Sequence, residues 1–332
     1  MSRRAWLGLW IAAAALIVPA AHLALGRGVD WSELLAGTDT VSWRVLTELR
    51  LPRLVVALFA GTALGLAGLA LQSVLRNPLA APELTAVNPS AVLGYLIASG
   101  TGLIDGGSVF SSVLSATVGG LLGGGLLWLV AHRRTSEQTA VLGLLSALAL
   151  TGVVTILIAA RPTGVGGALR WLIGSVEARV AEHVPMIAIP VLAGFAALVL
   201  VADRLEILAV SDSHAHCLGV SPGFWRGVGI GIAVLLASAA VATVGPLAFV
   251  GFVAPHVVRL VFGGRLRRQV MLVAVCGGLF VAASDLIAKA VSLAIQLTGD
   301  GQQVGVPVGA VTCLIGAAAL VAVASSHQES EP

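Results

Sequence analysis

The charged residues best placed to bind a partner are two arginines three positions apart, Arg50 and Arg53. Residues with this spacing share one face of a helix. Pro52, between them, favours a first helical turn, because its missing N–H group costs nothing there. Two guanidinium groups on one face can bind carboxylates through paired hydrogen bonds. The spacing suggests a docking point for acidic groups, but by itself it favours simple anchoring of a helix end at a membrane surface.

A second charged pair, Asp285 and Lys289, lies within a long apolar stretch. Ionisable residues inside apolar membrane segments are candidates for function. Their spacing of four residues, however, places the carboxylate and the ammonium group next to each other on a helix. The favoured interpretation is a structural ion pair in which each charge offsets the burial cost of the other.

One short polar run, Asp212–Cys217, combines an acid, two histidines and a thiol and is the strongest candidate for metal binding. Residues two apart do not share a helical face, so these side chains would point in different directions. His256 directly follows Pro255 and is interpreted as a helix-end residue rather than a ligand. We predict no metal site, no cofactor and no catalytic residue.

Lysine occurs once, at position 289, between two alanines. A phosphate-binding loop of the form G-x-x-x-x-G-K-[ST] needs a lysine followed by serine or threonine, so the sequence contains none. Any ATP hydrolysis must therefore come from a partner subunit. The three cysteines, at positions 217, 276 and 313, are scattered and form neither a disulfide framework nor a zinc-ligand pattern.

The elements that position these residues must be membrane helices. Of the 332 residues, 58% are hydrophobic and 11% are charged, whereas soluble domains carry about 25% charged residues. The apolar runs are continuous and rich in leucine and alanine, which disfavours the alternating strands of a membrane β-barrel. A net charge of +3 without a basic tract gives no sign of nucleic-acid binding. We predict an all-α, polytopic integral membrane protein, with residues 1–332 forming a single transmembrane domain.

About ten transmembrane helices are expected, together with short interfacial and coupling helices. The first apolar run resembles a signal peptide but continues to Leu25, so an uncleaved first helix is favoured. Segments 86–100 and 248–262 are shorter than a straight span, and Pro246 and Pro255 interrupt the second. Such broken helices must be buried in protein or line a cavity. The predicted spans are 5–26, 52–75, 86–100, 110–131, 138–160, 183–202, 227–245, 248–262, 270–292 and 305–324.

The arginines of the short loops predict the orientation, because cytoplasmic loops are rich in positive charge. They place both termini in the cytoplasm. The loop arginines are Arg133, Arg134, Arg265, Arg267 and Arg268. On the same side lies the longest polar segment, 203–226. Its leucine spacing predicts a short helix across the membrane face that could dock into a cytosolic partner.

Two outer stretches, 29–49 and 164–182, contain tryptophans beside charged residues and are predicted to form amphipathic helices at the interface. Glycines spaced four apart predict close packing between spans. These pairs are Gly61/Gly65, Gly119/Gly123, Gly120/Gly124 and Gly227/Gly231.

A series of longer motifs follows in order along the chain. They are Arg50-Leu51-Pro52-Arg53, Arg76-Asn77-Pro78-Leu79-Ala80, Trp171-Leu172-Ile173-Gly174-Ser175, Leu218-Gly219-Val220, Gly245-Pro246-Leu247-Ala248-Phe249-Val250-Gly251, Pro255-His256, Asp285 and Pro307-Val308-Gly309. In this order and spacing they resemble the FecCD-type permeases, the membrane subunits of ABC importers for iron–siderophores, haem and vitamin B12. The resemblance covers nearly the whole chain.

The resemblance implies a bacterial cytoplasmic-membrane permease that works by alternating access. Its implied partners are a second permease subunit, identical or paralogous, two cytosolic ATP-binding subunits, an extracytoplasmic substrate-binding protein and membrane lipid. An iron–siderophore complex is the leading cargo, ahead of haem and cobalamin. An ion- or proton-coupled secondary transporter is the alternative from another class, but it needs an unpaired intramembrane acid, and Asp285 has a cation nearby.

The resemblance also implies roles for individual residues. Arg50, Arg53 and Lys289 would meet acidic residues of the binding protein. The residues implied in coupling to the ATPase are Leu205, Leu208, Ala209, Asp212, Leu218 and Gly219. Those implied in structure or in the pathway are Asn77, Pro78, Gly245, Pro246, Gly251, Pro255, His256, Asp285, Pro307 and Gly309.

The sequence departs from the family pattern in three places. Thr85–Ser90 stands where L-G-V-S-S-G is usual, Gln302–Gly305 where a glutamate precedes Pro-Val-Gly, and Ser211-Asp212 where Gly-Glu is common. These departures concern the inner elbow, the last outer loop and the docking of the ATPase.

Overall fold

The computed structural model describes residues 3–26, 29–30, 32, 40–104, 108–131, 136–160, 173–298 and 305–328. Within these residues the regular structure is helical throughout, which confirms the predicted all-α class. The ten long helices of the described chain, α1 to α10 in order, are Arg3–Ala24, Leu51–Leu75, Val87–Gly100, Val109–Ala131, Ser136–Ala159, His183–Val210, Pro222–Val244, Val250–Val261, Leu266–Thr298 and Val308–Gln328.

The lengths and hydropathy of these helices confirm a polytopic membrane protein. Among the described residues, six helical stretches are long and apolar enough to cross a membrane, and further apolar helices are shorter. Helices α3 and α8 have 14 and 12 residues. They correspond to the two segments that the sequence predicted to be short.

The approach to α2 differs from the prediction. Val41–Arg44 and the π-helical Val45–Arg50 run directly into α2, so this part of the predicted interfacial helix is wrong. Pro52 removes one N–H donor from the helical ladder, and the wide π turn just before it lets the helix continue without a break. Residue 31 and residues 33–39 of the first interfacial stretch, and residues 164–172 of the second, lie outside the described residues.

Helix α2 forms the centre of the bundle and packs against α6, α7, α8 and α9. A Cβ atom on Gly61 would collide with the carbonyl of Gly277 in α9, and one on Gly68 with Gly251 in α8. The helices therefore approach backbone to backbone, as glycine pairs permit. Gly119 likewise approaches the backbone of Ser90 and Gly94. Side chains of neighbouring helices lie closest to the other predicted glycines, which are Gly65, Gly120, Gly123, Gly124 and Gly227. Gly231 faces open space, so the packing prediction is wrong at that position.

A tight elbow joins α2 to α3, where the prolines predicted one. Helix α2 ends at Arg76, whose left-handed φ of 49° turns the chain away. Asn77 stabilises the turn, because its side-chain oxygen accepts the Leu79 N–H at 2.9 Å. Pro78 follows within this turn, where no helix continues.

The same elbow buries an acid, Glu83. Both oxygens of its carboxyl group are buried, and neither has a partner at normal hydrogen-bond geometry. This burial raises the pKa of Glu83 to about 7, and the nearby backbone N–H groups of Phe249 and Gly251 offset the effect only in part. Among the described residues, no charged side chain contributes to the shift.

The break between α7 and α8 confirms that the proline-rich region is not one continuous span. Gly245 and Phe249 have positive φ angles of 79° and 66°. The bend packs closely against the loop before α6. Gly174 of that loop lies so near the Pro246 carbonyl that a Cβ atom on it would collide. The N–H of Gly309 donates to the Gly174 carbonyl at 3.1 Å. Glycine is needed at these contacts for close approach of the backbone.

The segment predicted to couple to the ATPase folds differently from expectation. Helix α6 continues to Val210, and a six-residue helix, Asp212–Cys217, follows it. Leu205 and Leu208 are fully buried in the core, so their predicted exposure to a partner is wrong. Their helical spacing reflects packing of α6 against the bundle. Ala209, Leu218 and Gly219 are exposed and remain available. We call Asp212–Cys217 the connecting helix.

Candidate functional site

Two groups of charged side chains lie near opposite ends of the bundle. Following the predicted orientation, we call them the outer cluster, around Asp285, and the inner cluster, around Asp212. Asp285 is 1% exposed and lies on α9. It accepts two hydrogen bonds from Arg53 of α2, from Nε to Oδ2 at 2.8 Å and from Nη2 to Oδ1 at 2.7 Å. This bidentate pair ties α2 to α9.

His22 of α1 completes the outer cluster. Its Nε2 lies 2.7 Å from Asp285 Oδ2, and its Nδ1 lies 3.1 Å from Lys289 Nζ. An ammonium group has only donors, so Lys289 donates to Nδ1 and Nε2–H donates to Asp285. The predicted direct pair between Asp285 and Lys289 is therefore wrong: His22 stands between the two charges, and Arg53 neutralises Asp285.

Arg50 and Arg53 do not form one joint binding site, because their guanidinium groups bind different partners. Arg50 is buried and donates to the carbonyls of Leu23 and Ala24, at 2.5 and 3.3 Å, at the end of α1. The last carbonyls of a helix lack intrahelical partners and attract positive charge. Arg50 thus fixes the end of α1 against α2, while Arg53 turns towards α9.

Beside this cluster lies an outer cavity of about 410 Å³. Arg50, Arg53 and Lys289 line it, and so do Glu177 and Arg179 from the loop before α6. Four basic groups therefore face one acid. Among the described residues, Arg179 Nε has no hydrogen-bond partner, and burial lowers the pKa of its guanidinium group.

Sequence reasoning missed three of these outer residues. His22 could have been found, because an ionisable residue in a predicted span is a candidate by default. Glu177 and Arg179 lie in an irregular loop with no periodicity, and no local pattern places them beside Arg53.

The inner cluster consists of one carboxylate, Asp212, between two arginines. Asp212 begins the connecting helix and is 47% exposed. Arg226 of α7 donates from Nη2 to both Asp212 oxygens, at 3.0 and 3.2 Å, and Arg76 at the end of α2 contacts Oδ1. Arg226 Nε also donates to the Val74 carbonyl at 3.4 Å. Asp212 thereby joins the connecting helix to α2 and α7.

The remaining predicted residues belong to the packed centre. The carbonyl of Gly251 accepts a hydrogen bond from Gln72 of α2 at 3.1 Å. Pro255 is buried inside α8, and His256 lies in the middle of the same helix, so its predicted position at a helix end is wrong. The ring of His256 stacks on Phe252 at 5.6 Å. Pro307 immediately precedes α10, where it can start the helix without a lost hydrogen bond.

A bundle of apolar helices with a broken pair at its centre and charged groups towards both ends is the architecture of a membrane transport protein. The chain belongs to the FecCD transport family, whose family model matches residues 9–326. The resemblance identified from the motifs is thereby confirmed.

Individual relatives agree with this family. The chain is 37% identical over 297 residues to the Fe(3+) dicitrate transport system permease protein FecD of Escherichia coli, with 87% of this chain and 88% of that protein covered. It is 34% identical over 285 residues to the ferric enterobactin transport system permease protein FepG of the same organism, covering 83% and 81%. A solved metal-chelate type ABC transporter in an inward-facing conformation matches the fold with a TM-score of 0.83 at 23% identity, covering 96% of this chain and 98% of that chain.

Proposed function

We propose that the chain is the permease subunit of a binding-protein-dependent ABC importer in a bacterial cytoplasmic membrane. Its cargo is an iron chelate, such as an iron–siderophore or iron–citrate complex. The observation that carries the proposal is the family match across residues 9–326. Relatives named for ferric dicitrate and ferric enterobactin support iron over haem and cobalamin.

The partners of Asp285 argue against this residue as the coupling site of an ion- or proton-coupled secondary transporter. Such a transporter needs an acid or an unwound backbone site that can exchange a proton or cation within the membrane. The carboxylate of Asp285 already accepts hydrogen bonds from Arg53 and His22. A residue held in this way supports the helices rather than a coupling ion.

The outer cavity is the proposed docking face for the binding protein. Arg53 lines the cavity and uses Nε and Nη2 for Asp285, so Nη1 can bind a further group. Lys289 and Arg179 add two further cations at the same cavity. Arg50 contributes indirectly, because it holds the end of α1 that borders the cavity. Acidic side chains of a binding protein would find complementary charge here.

The inner cluster is the proposed contact region for the ATPase. The exposed residues Ala209, Leu218 and Gly219 flank the connecting helix, and Asp212 links that helix to α2 and α7. Movement imposed on the connecting helix by a partner would therefore reach the central helix. Both chain termini are proposed to lie on this cytoplasmic side.

Reconstitution tests the function directly. The permease, its cognate ATPase and its binding protein are assembled in liposomes, and uptake of radioactive ferric citrate or a ferric siderophore is measured. We expect uptake that requires both ATP and the binding protein and is insensitive to a protonophore. Uptake that proceeds without the ATPase and collapses with the proton gradient would overturn the proposal.

A further inference from the structure

A second cavity, of about 330 Å³, lies next to the inner cluster. It opens where the end of α2, the end of α6, the end of α8 and the start of α9 meet. Its polar lining comes from residues on all four helices or their ends. These residues are Gln72, Ser73, Arg76, Glu206, Arg259 and Gln269. We call it the inner cavity.

Arg259 of α8 is the unusual member of this lining. Within the part of the chain that the structure describes, its guanidinium group has no ion pair or hydrogen bond, and its Nη2 atom is buried. A guanidinium group carries five N–H donors, and leaving them unpaired away from water is costly. A permanently charged group directed into a cavity is suited to bind an anion that this chain does not supply.

The nearest acids do not neutralise Arg259. Glu206 also lines the cavity, but its Oε2 accepts the backbone N–H of Leu266 at 3.0 Å, at the start of α9. Asp212 is shared by Arg76 and Arg226. These five residues comprise three arginines and two carboxylates, so together they carry one net positive charge. Arg259 is the arginine among them that no carboxylate of the described residues contacts.

The surroundings extend the positive charge towards water. Arg265, Arg267 and Arg268 follow in sequence after α8 and are exposed. Together with Arg259 they give the mouth of the cavity a positive potential, which draws acidic groups from solution. Arg76 lines the cavity and contacts Asp212. The cavity lining is thereby linked to the connecting helix.

We infer that the inner cavity is a carboxylate-binding site for an acidic side chain of the cytosolic ATPase subunit, with Arg259 as the residue that binds it. This inference rests on the proposed function, which supplies the ATPase and the orientation. A protein carboxylate suits the site because guanidinium and carboxylate groups pair through two parallel hydrogen bonds. Gln72 and Gln269 can add neutral donors.

Such a contact would give the ATPase a second attachment besides the connecting helix. Arg259 belongs to α8, whose first turn follows the left-handed residue Phe249 and whose Gly251 packs on α2. A partner that holds Arg259 could therefore displace the broken helix itself.

Charge-changing variants in lipid nanodiscs test the assignment. The affinity of the purified cognate ATPase is measured for the wild-type permease and for Arg259→Gln, Arg259→Glu and Arg267→Glu. Arg267 is an exposed neighbour outside the cavity lining, so it controls for general charge. We expect Arg259→Gln to weaken binding about tenfold and Arg259→Glu to weaken it more. Arg267→Glu lowers the positive potential without removing the contact, so it should weaken binding less than Arg259→Gln does.

Two further measurements separate a lost contact from a damaged fold or a lipid effect. Affinity for the binding protein at the opposite face should be unchanged in Arg259→Gln, which shows that the permease is folded. Replacing one ATPase acid by arginine should restore binding to Arg259→Glu. Rescue by an ATPase acid identifies the source of the carboxylate; an affinity loss that appears only with anionic lipids would assign the site to a headgroup and overturn the inference.

The outcomes distinguish this inference from the function on which it rests. If the wild-type permease binds no ATPase, the proposed function fails and the inference fails with it. If the wild-type protein binds the ATPase and Arg259→Glu binds it equally well, only the assignment of Arg259 is overturned.

Discussion

The outer and inner clusters are each built around one aspartate, but in different surroundings. In each, one carboxylate is held by basic groups from other helices. Asp285 is 1% exposed and Asp212 is 47% exposed. A buried carboxylate depends on its partners, because their removal leaves a charge in a poorly solvated site. An exposed one is solvated by water whether or not the arginines remain.

This difference implies two kinds of role. The outer cluster fixes α1, α2 and α9 relative to one another and presents its leftover positive charge to the outer cavity. The inner cluster can open and close at little cost, which suits a joint that must move during transport. The two clusters are far apart, since Arg53 of the outer cluster and Arg76 of the inner cluster are 23 positions apart along α2, which corresponds to about 35 Å of helix.

The largest expected effect comes from removing the buried carboxylate. Asp285→Ala leaves Arg53 and His22 without their acceptor, and we expect it to lower the free energy of unfolding by about 3–5 kcal/mol. Thermal unfolding in detergent measures the change. The matched control is Asp212→Ala, with an expected loss below about 1 kcal/mol. Equal losses of stability at Asp285 and Asp212 would contradict the different roles assigned to the buried and the exposed carboxylate.

Glu83 is a third carboxyl group, buried like Asp285 but without a cation. Its pKa is raised to about 7 from the ordinary 4.5, so the folded protein binds more protons than the unfolded chain between these values. Stability should therefore fall as the pH rises from about 5 to about 8, by roughly 3 kcal/mol. Glu83→Gln should remove this loss, as unfolding temperatures at both pH values would show.

If the unfolding temperatures of the wild-type protein and of Glu83→Gln change in parallel with pH, the loss of stability does not come from Glu83. Asp285→Asn provides the contrast. It lowers stability through lost ion pairing, so its loss of stability should be present at both pH values.

Docking at the outer cavity should depend on cations that are not needed for the fold. Arg179→Gln removes a guanidinium group whose Nε lacks a partner, so we expect about tenfold weaker binding of the cognate binding protein without a loss of stability. Binding should also weaken as salt is added. The control is Arg265→Gln, which removes an exposed arginine just before α9, near the inner cavity. Unchanged affinity in Arg179→Gln would restrict docking to Arg53 and Lys289.

The smallest effect on stability, but a clear one on coupling, is expected at the inner cluster. Asp212→Asn should change the free energy of unfolding by less than about 1 kcal/mol, yet reduce the stimulation of ATP hydrolysis by the loaded binding protein. Exchanging the charges in Asp212→Arg with Arg76→Asp should restore part of it. If Asp212→Asn leaves the stimulation intact, the joint does not transmit movement.

Much of the fold was predictable because its signals are local. Apolar runs of sufficient length predicted the spans, and Pro246 predicted the break between α7 and α8. The predicted interruption at Pro255 is wrong, because α8 continues through it. The motifs around Arg53, Asn77 and Gly251 indicated the family. Glycine spacing predicted close packing, but Gly231 shows that spacing does not reveal whether a neighbouring helix is present on that face.

The sequence alone determined the class of protein, its apolar helices and the presence of charge at particular depths. Only the tertiary structure decided which charges meet. Asp285 pairs with Arg53, 232 positions away, rather than with Lys289 four positions away. Leu205 and Leu208 face the core, and Arg259 faces a cavity in which no described residue pairs with it. The physical reason is that hydrophobicity and helical period depend on neighbouring residues, whereas ion pairing depends on distances between helices that are remote in the chain.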